Sequence, residues 1–408
     1  MEGISSGQFC NYFYLDLGDH LGIERFERSC EAAIEKLPIL RACFLKLMGS
    51  FWRVTLRTLD RPLRTVKVEE DLETSFRSLC LQDTASCSHI QPALALVLLR
   101  HKSQGLRLVI RMSHGQYDGL CLPLIVEGLF AKYQNKPIAE GPTFSKFLSY
   151  SSARRQQSSQ YWKKFLEGSD LTTLKHVQPS LLAQCLQDPR PRGIQVSADT
   201  KPLQLSGKTT HATLASAAWA LLLSCITGNE DVVYGHLIAG RNSAIDGVER
   251  TIGTFVNIIP VRVKLLTALT SKDLLRYVQD QFIRLGEADS LGFKDIMRNC
   301  TNWKDSEDFD FVIQHQNVDE NPGIQVAGVE TELQYFLHPN RLPPWKVFMV
   351  SYPQSNKLHV KLSTDNHMMN PETAQILVDK VVIIMENLAA DADIPLGSYI
   401  SEIQSGLL

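Results

Sequence analysis

His114 and Asp118 stand four residues apart in the stretch Arg111-Met112-Ser113-His114-Gly115-Gln116-Tyr117-Asp118-Gly119. An imidazole accepts a proton close to neutral pH, because its ordinary pKa is about 6.5. A carboxylate four residues further on invites comparison with the His-Asp pair of a catalytic triad. One H-x-x-x-D in a chain with 11 His carries little information by itself. Its setting carries more. The apolar, β-branched run Leu106-Arg107-Leu108-Val109-Ile110 before it predicts a strand, and Leu120 to Tyr133 after it is long and apolar enough for a helix. Both residues therefore fall in a short loop at a strand end, where a rigid scaffold can hold a reactive side chain in a cleft.

The elements that must position this loop follow from periodicity. Leu94 to Leu99 and Leu106 to Met112 flank Ser103-Gln104-Gly105, a hairpin that delivers the loop. Upstream, Ile23, Phe26, Cys30, Ala33, Ile34 and Leu37 have the spacing of an amphipathic helix, started by Asp19 or His20 and stopped by Pro38. Ile39 to Leu45 predicts a strand. Trp52, Val54 and Leu56 alternate with Arg53, Thr55 and Arg57, so a second strand with one wet face is expected there. Phe144 to Leu166 reads as helical. Helices beside strands in this order predict an α+β sandwich rather than a regular βαβ repeat.

From Leu171 to Leu203 the pattern dissolves, and Asp188-Pro189-Arg190-Pro191-Arg192-Gly193 is a proline- and charge-rich break. A domain boundary is placed in this region, dividing the chain into 1–175 and 176–408. Beyond it, Thr213 to Cys225 is apolar on nearly all sides and predicts a buried helix. Asp231 to Arg241 predicts a buried strand ending in a Gly-Arg turn, and Ile252 to Arg262 is a compact apolar segment with polar punctuation. Leu274 to Leu285 and Pro371 to Leu388 read as helices. Phe309 to Gln316, Trp345 to Tyr352 and Leu358 to Ser363 read as strands. No sequence repeat relates the two halves.

Composition narrows the functional classes. A length of 408 residues suggests two or three domains, and 44% hydrophobic with 21% charged residues is a globular balance. A net charge of -2 gives no reason to expect nucleic acid or an anionic membrane as partner. No apolar run approaches ~18 residues, and the first residues lack the basic-then-apolar order of a signal peptide. Nine Cys without C-x-x-C spacing argue against a disulfide framework or a zinc site and point to a reducing cytoplasm. Pairs such as His89 and His101 have no ligand spacing, so no metal is expected. Neither G-x-x-x-x-G-K nor G-x-G-x-x-G occurs, which argues against ATP or NAD chemistry. Cys43, Cys225, Trp219 and Phe255 read as core residues, and His211 and His236 as hydrogen-bonded core groups.

Four stretches together resemble one family. Ile39-Leu40-Arg41-Ala42-Cys43-Phe44, Ser113 to Gly119, Gly235 to Arg241 and Ile252 to Asn257 occur in the order and at about the spacings of the condensation domains of nonribosomal peptide synthetases. The resemblance covers essentially the whole chain. It implies two chloramphenicol-acetyltransferase-like lobes in a V-shaped pseudo-dimer, with an active site at their junction. Most condensation domains carry His-His-x-x-x-Asp-Gly, whereas the first His is here Ser113. The Ser-His form is similar to the terminal condensation-like domains of fungal synthetases, which release a carrier-bound peptide by cyclising it. Gln314-His315-Gln316-Asn317 also has the look of fungal members.

By this resemblance His114 orients the nucleophile or takes its proton. Asp118 points away from the site and pairs with an Arg, for which Arg241 is the candidate. Gly119 fits a tight bend or an amide approaching the acyl oxygen, or is a plain loop glycine. Ser113, Asn257 and Gln314 are candidates for positioning substrate, with turn-forming or strand-end roles as the alternatives. No cofactor would be bound directly. The substrate, a small-peptide thioester, would arrive on the phosphopantetheine arm of an upstream peptidyl carrier domain, and a monomer is the default. Intermolecular condensation or oligomerisation of carrier-bound units, a coenzyme A-dependent acyltransferase, and a non-catalytic recruitment platform remain as alternatives.

Overall fold

Strand Gly105–Ser113 is buried at all nine positions, and the first half of the chain is arranged around it. In the computed structural model, residues 10–18, 21–48, 50–86, 92–138, 140–179, 181, 191–205, 209–265, 270–304, 306–317, 323–326, 329–336, 342–390 and 393–405 are described. The expected helix start at Asp19 or His20 and most of the proline-rich break lie outside them. The chain divides into two units that interleave in sequence. The first comprises 1–149, 244–255 and 321–339, and the second the remainder.

The first unit begins with β1 (Cys10–Leu17), α1 (Ile23–Lys36), β2 (Ala42–Leu47), β3 (Ser50–Thr55), β4 (Leu63–Val68), α2 (Leu72–Ser86), β5 (Ala95–His101), β6 (Gly105–Ser113) and α3 (Leu122–Ala131), followed by α4 (Phe144–Phe165), which runs on past residue 149. The two-residue period of β6 sends Leu106, Leu108, Ile110 and Met112 into one core with Phe26, Ile34, Ile125 and Phe130. There the rings of Phe26 on α1 and Phe130 on α3 stack at 4.6 Å. The alternate residues face α2. Val109 joins Phe76 and Cys80, Arg107 pairs with Asp16 and Glu73, and Arg111 binds Asp83 and the Pro92 and Ala93 carbonyls. Burying these two guanidinium groups is tolerable because each is paired and hydrogen-bonded.

Two local expectations are corrected. The strand expected from Ile39 begins at Ala42, because Pro38 to Arg41 form a 3-10 turn. Proline at the first position supplies the turn's φ and lacks only an amide that would go unbonded. The Arg41 guanidinium then fixes the turn by donating to the carbonyls of Ile34, Leu56 and Arg57. Strand β3 forms as expected, yet its apolar face is not covered: Trp52 is 57% and Val54 39% exposed.

The second unit holds β7 (Gly193–Asp199), α5 (His211–Thr227), β8 (Asp231–Ile238), β9 (Asn257–Lys264), α6 (Ser271–Leu285), α7 (Phe293–Cys300) and β10 (Phe311–His315). Next come β11 (Gly323–Val326), β12 (Val329–Glu332) and β13 (Gln334–Phe336) of the first unit, then β14 (Val347–Gln354), β15 (Lys357–Asp365), α8 (Pro371–Ala389) and α9 (Leu396–Ser405). Strand β13 pairs with β1, so the first unit's sheet runs β13-β1-β6-β5-β4. The second unit's sheet runs β7-β15-β14-β10-β8-β9, with β10 parallel to both neighbours. β7 is a strand where no pattern was expected; it pairs along its length with β15. α5 is buried from Thr213 to Ile226, as its apolar sequence requires, with Thr210 capping its start and Gly228 in the left-handed conformation at its end. Among the described residues no helix is long and apolar enough to cross a membrane.

His236 lies deep beside β10 and meets Phe282 edge-on at 5.1 Å. Its Nδ1 has no hydrogen-bond partner among the described residues. Burial, helped by the nearby His315, pushes its pKa down to about 3. Burial likewise pushes His315 down to about 4, with Asn317 opposing and His211 reinforcing the shift. Both imidazoles are thus neutral in the folded chain, whereas the unfolded chain protonates them at about pH 6.5. The unfolded state binds more protons below that pH, so stability is full above it and falls as pH drops toward 4. Urea midpoints measured from pH 7.5 to 4.5 should fall, and His236→Leu should flatten that decline relative to the wild type.

Candidate active site

A single tight turn follows β6. The amide of Gln116 donates to the Ser113 carbonyl at 2.9 Å, and that of Gly115 donates to the Ser113 hydroxyl at 3.2 Å. The wholly buried Gln116 side chain clips the turn down. Its Oε1 accepts from the Ser113 amide, and its Nε2 donates to the Ile39 carbonyl. The glycine that sterics demand is Gly115, where a Cβ would come within 2.6 Å of the Phe44 ring. Beside Gly119 a Cβ would meet nothing within 4 Å, so that position is open.

This turn presents His114 as an exposed side chain at the end of a buried strand. Its ring stacks on Tyr117 with centroids 4.8 Å apart and planes 11° from parallel. Its Nδ1 lies 3.2 Å from the Tyr117 backbone carbonyl. A carbonyl can only accept, so this bond exists only when Nδ1 carries the hydrogen, which leaves the lone pair on Nε2. Tyr117 is itself held, its hydroxyl accepting from Asn11 Nδ2 at 2.5 Å and its ring edge-on to Phe13. The Tyr117 carbonyl occupies the place that the Asp takes in a Ser-His-Asp triad.

Asp118, 1% exposed, accepts hydrogen bonds from the backbone. Oδ1 accepts from the Cys121 amide at 2.9 Å and Oδ2 from the Phe255 amide at 3.0 Å. One carboxylate thereby opens α3 and fastens the segment 253–255 to the loop. The Cys121 thiol donates to the Gly253 carbonyl, and the Thr254 hydroxyl donates to the carbonyls of His114 at 2.9 Å and Tyr117 at 3.3 Å. Gly253 lies against Phe144, where a Cβ would approach to 2.6 Å. Phe255 is buried against Phe144 and Phe147.

The remaining expected residues belong to the second unit. Arg241, half-buried, follows Gly240, whose φ of 63° accounts for the glycine. Asn257 turns into its own unit. Both of its N–H groups donate to the Asp289 and Leu291 carbonyls while Oδ1 accepts from the Ile258 amide, which is the turn-forming alternative for this residue. Gln314 sits half-buried near the end of β10, opposite Val350 and Leu237. His315 accompanies it, its Nδ1 2.9 Å from the Ser351 hydroxyl. Tyr117, Gln116, Cys121 and Thr254 were missed by sequence reasoning. Thr254 lay inside a quoted motif, but no local pattern ties it to a loop some 140 residues earlier.

A hydrogen bond to a charged group contributes about 1.5–3 kcal/mol, and Asp118 accepts two from buried amides. Asp118→Ala should therefore lower the unfolding free energy by about 3 kcal/mol or more, read from urea denaturation. Asp118→Asn, which keeps carbonyl acceptance at one oxygen, should lose less.

An exposed imidazole with a fixed tautomer, its lone pair on the far nitrogen, is equipped to take a proton from a nucleophile. Among the described residues no three His, Cys, Asp or Glu side chains cluster as a metal site. Residues 5–403 match the family model of the condensation domain. The chain is 43% identical over 388 residues to the nonribosomal peptide synthetase dtxS1 of Metarhizium robertsii, covering 95% of this chain and 5% of that protein. It is 39% identical over 407 residues to nonribosomal peptide synthetase 30 of Fusarium vanettenii, covering 98% and 7%. The chain thus spans a small fraction of these relatives' length. Its fold matches the crystal structure of holo T3CT with a TM-score of 0.84 and 25% identity, covering 96% and 90% of the two chains. It also matches the starter condensation domain of the rhizomide synthetase RzmA, at 0.75 and 17%, covering 97% and 94%. This likeness establishes the chloramphenicol-acetyltransferase-like fold. The chain belongs to the condensation-domain family of nonribosomal peptide synthetases.

Proposed function

We propose that this chain is a terminal condensation domain that releases a carrier-bound peptidyl thioester by intramolecular amide formation. The observation that carries this reading is the His114 ring, exposed, stacked on Tyr117 and bound through Nδ1 to the Tyr117 carbonyl. Ser113 supports it, since its hydroxyl shapes the turn where most condensation domains have a first His.

The peptide's own amine attacks the thioester carbonyl. Nε2 of His114 takes the proton that the nitrogen sheds, and the imidazolium returns it to the departing pantetheine sulfur. One C–N bond forms, one C–S bond breaks, and the histidine ends as it began. General-base catalysis of this kind contributes on the order of 10²–10⁴ in rate. Arg241 and Gly119 complete the proposal as structural and substrate-facing residues of the site. Asn257, with its amide donors consumed within its own unit, has less capacity to hold substrate than the motif suggested.

The test is a release assay with peptide loaded on a phosphopantetheinylated carrier domain, following carrier and product by mass spectrometry. Wild type should yield cyclic peptide, and His114→Ala should lower the release rate by about 10²-fold or more with unchanged melting. Linear acid from both proteins would contradict cyclising release. Turnover only when a second loaded carrier is added would establish intermolecular condensation instead.

A further inference from the structure

The hairpin of β2 and β3 is a two-stranded sheet of its own, and its two faces differ. Phe44 and Arg53, opposite each other on one face, look toward the rest of the unit: Phe44 against the Gly115 turn, Arg53 over the Phe144 ring at 5.3 Å. The other face carries Cys43 and Val54, then Leu45 and Trp52, then Leu47 near the tip. Of these Cys43 is buried, while Leu47 is 53% and Trp52 57% exposed, and Met48 at the turn is fully exposed. An apolar strip of this kind on a narrow hairpin is unusual for a surface left to water.

Charge singles out the same place. Between positions 36 and 67 the sequence holds eight Lys and Arg (Lys36, Arg41, Lys46, Arg53, Arg57, Arg61, Arg64 and Lys67) against one acid, Asp60, in a chain of net charge -2. Arg53, Arg57, Arg61 and Arg64 are exposed, and no carboxylate forms an ion pair with any of them among the described residues. Exposed apolar residues with Trp among them, followed in the chain by the exposed Arg57, Arg61 and Arg64, have the composition of a protein docking surface.

We propose that the outer face of this hairpin docks the carrier domain that brings the thioester, through an acidic carrier surface with an apolar patch. The inference rests on the condensation reading above. Complementary charge selects an acidic partner and speeds its encounter, and the carrier's phosphopantetheine phosphate adds a negative charge of its own. Position selects the carrier among acidic partners. The hairpin's inner face touches the catalytic turn at Gly115, and the four residue steps from Phe44 to Met48 span about 14 Å. An extended phosphopantetheine arm covers that distance from the tip to His114.

The test pairs binding with turnover, using the whole 408-residue chain. Trp52→Ser combined with Leu47→Ser, and separately Arg57→Glu, are titrated with a phosphopantetheinylated carrier domain by isothermal calorimetry at two salt concentrations. Melting temperatures should match the wild type, since these side chains are exposed. Carrier affinity should fall at least tenfold in the double variant. In Arg57→Glu it should fall severalfold, with a weaker salt dependence. Release of carrier-bound peptide should slow through KM, while release of the same peptide from a soluble pantetheine thioester stays at the wild-type rate. Carrier affinity equal to wild type in both variants overturns the proposal. So does loss of binding to phosphatidylserine–phosphatidylcholine vesicles with carrier affinity intact, which would make the hairpin a membrane contact. Should the wild type release neither donor, the proposed reaction fails, and the calorimetry still decides the docking surface.

Discussion

One buried carboxylate holds the candidate site together. Asp118 accepts the Cys121 amide on one oxygen and the Phe255 amide on the other, joining a strand-to-helix turn to a segment that returns from far along the chain. Around that clasp lie the Cys121 thiol on the Gly253 carbonyl and the Thr254 hydroxyl on the carbonyls of His114 and Tyr117. His114 is thus held through its main chain by one segment and through its ring by Tyr117. A buried charge without these donors would be costly, so the clasp and the fold depend on each other.

The sheet supplies the rigidity that the clasp needs. Strand β6 lies between β1 and β5, buried along its length, with core residues on one face and two paired arginines on the other. A turn leaving such a strand has little freedom, and the Gln116 clip removes more of it. His114 can therefore be exposed without being loose, the condition for a base that must meet an incoming nucleophile.

Much of this was legible in the sequence, for identifiable reasons. Strand β6, helix α3 and the loop between them show because a buried strand and an apolar helix impose their periods locally. Membership of the family came from four motifs in order, not from any one of them. What stayed hidden depends on distance along the chain. Thr254 and Phe255 reach the loop across more than 130 residues, and no local pattern encodes that return. Segments 244–255 and 321–339 join the first unit without a shift in composition. β7 was obscured by the proline-rich break before it. Alternation on β3 announced a strand correctly but misjudged burial, since a period of two says that faces differ and not that one is covered. Among the glycines, Gly119 drew attention by its motif, whereas Gly115 carries the steric requirement.

The tautomer of His114 tests the central claim most directly. With 15N-labelled histidine, two-bond proton–nitrogen correlations distinguish a ring nitrogen that bears hydrogen from one that bears a lone pair, and His114→Gln identifies the signal. In the neutral ring, hydrogen is expected on Nδ1, with Nε2 free to act as base. A neutral His114 carrying its hydrogen on Nε2 would contradict the account, because the nitrogen turned toward the Tyr117 carbonyl would then be the one with the lone pair.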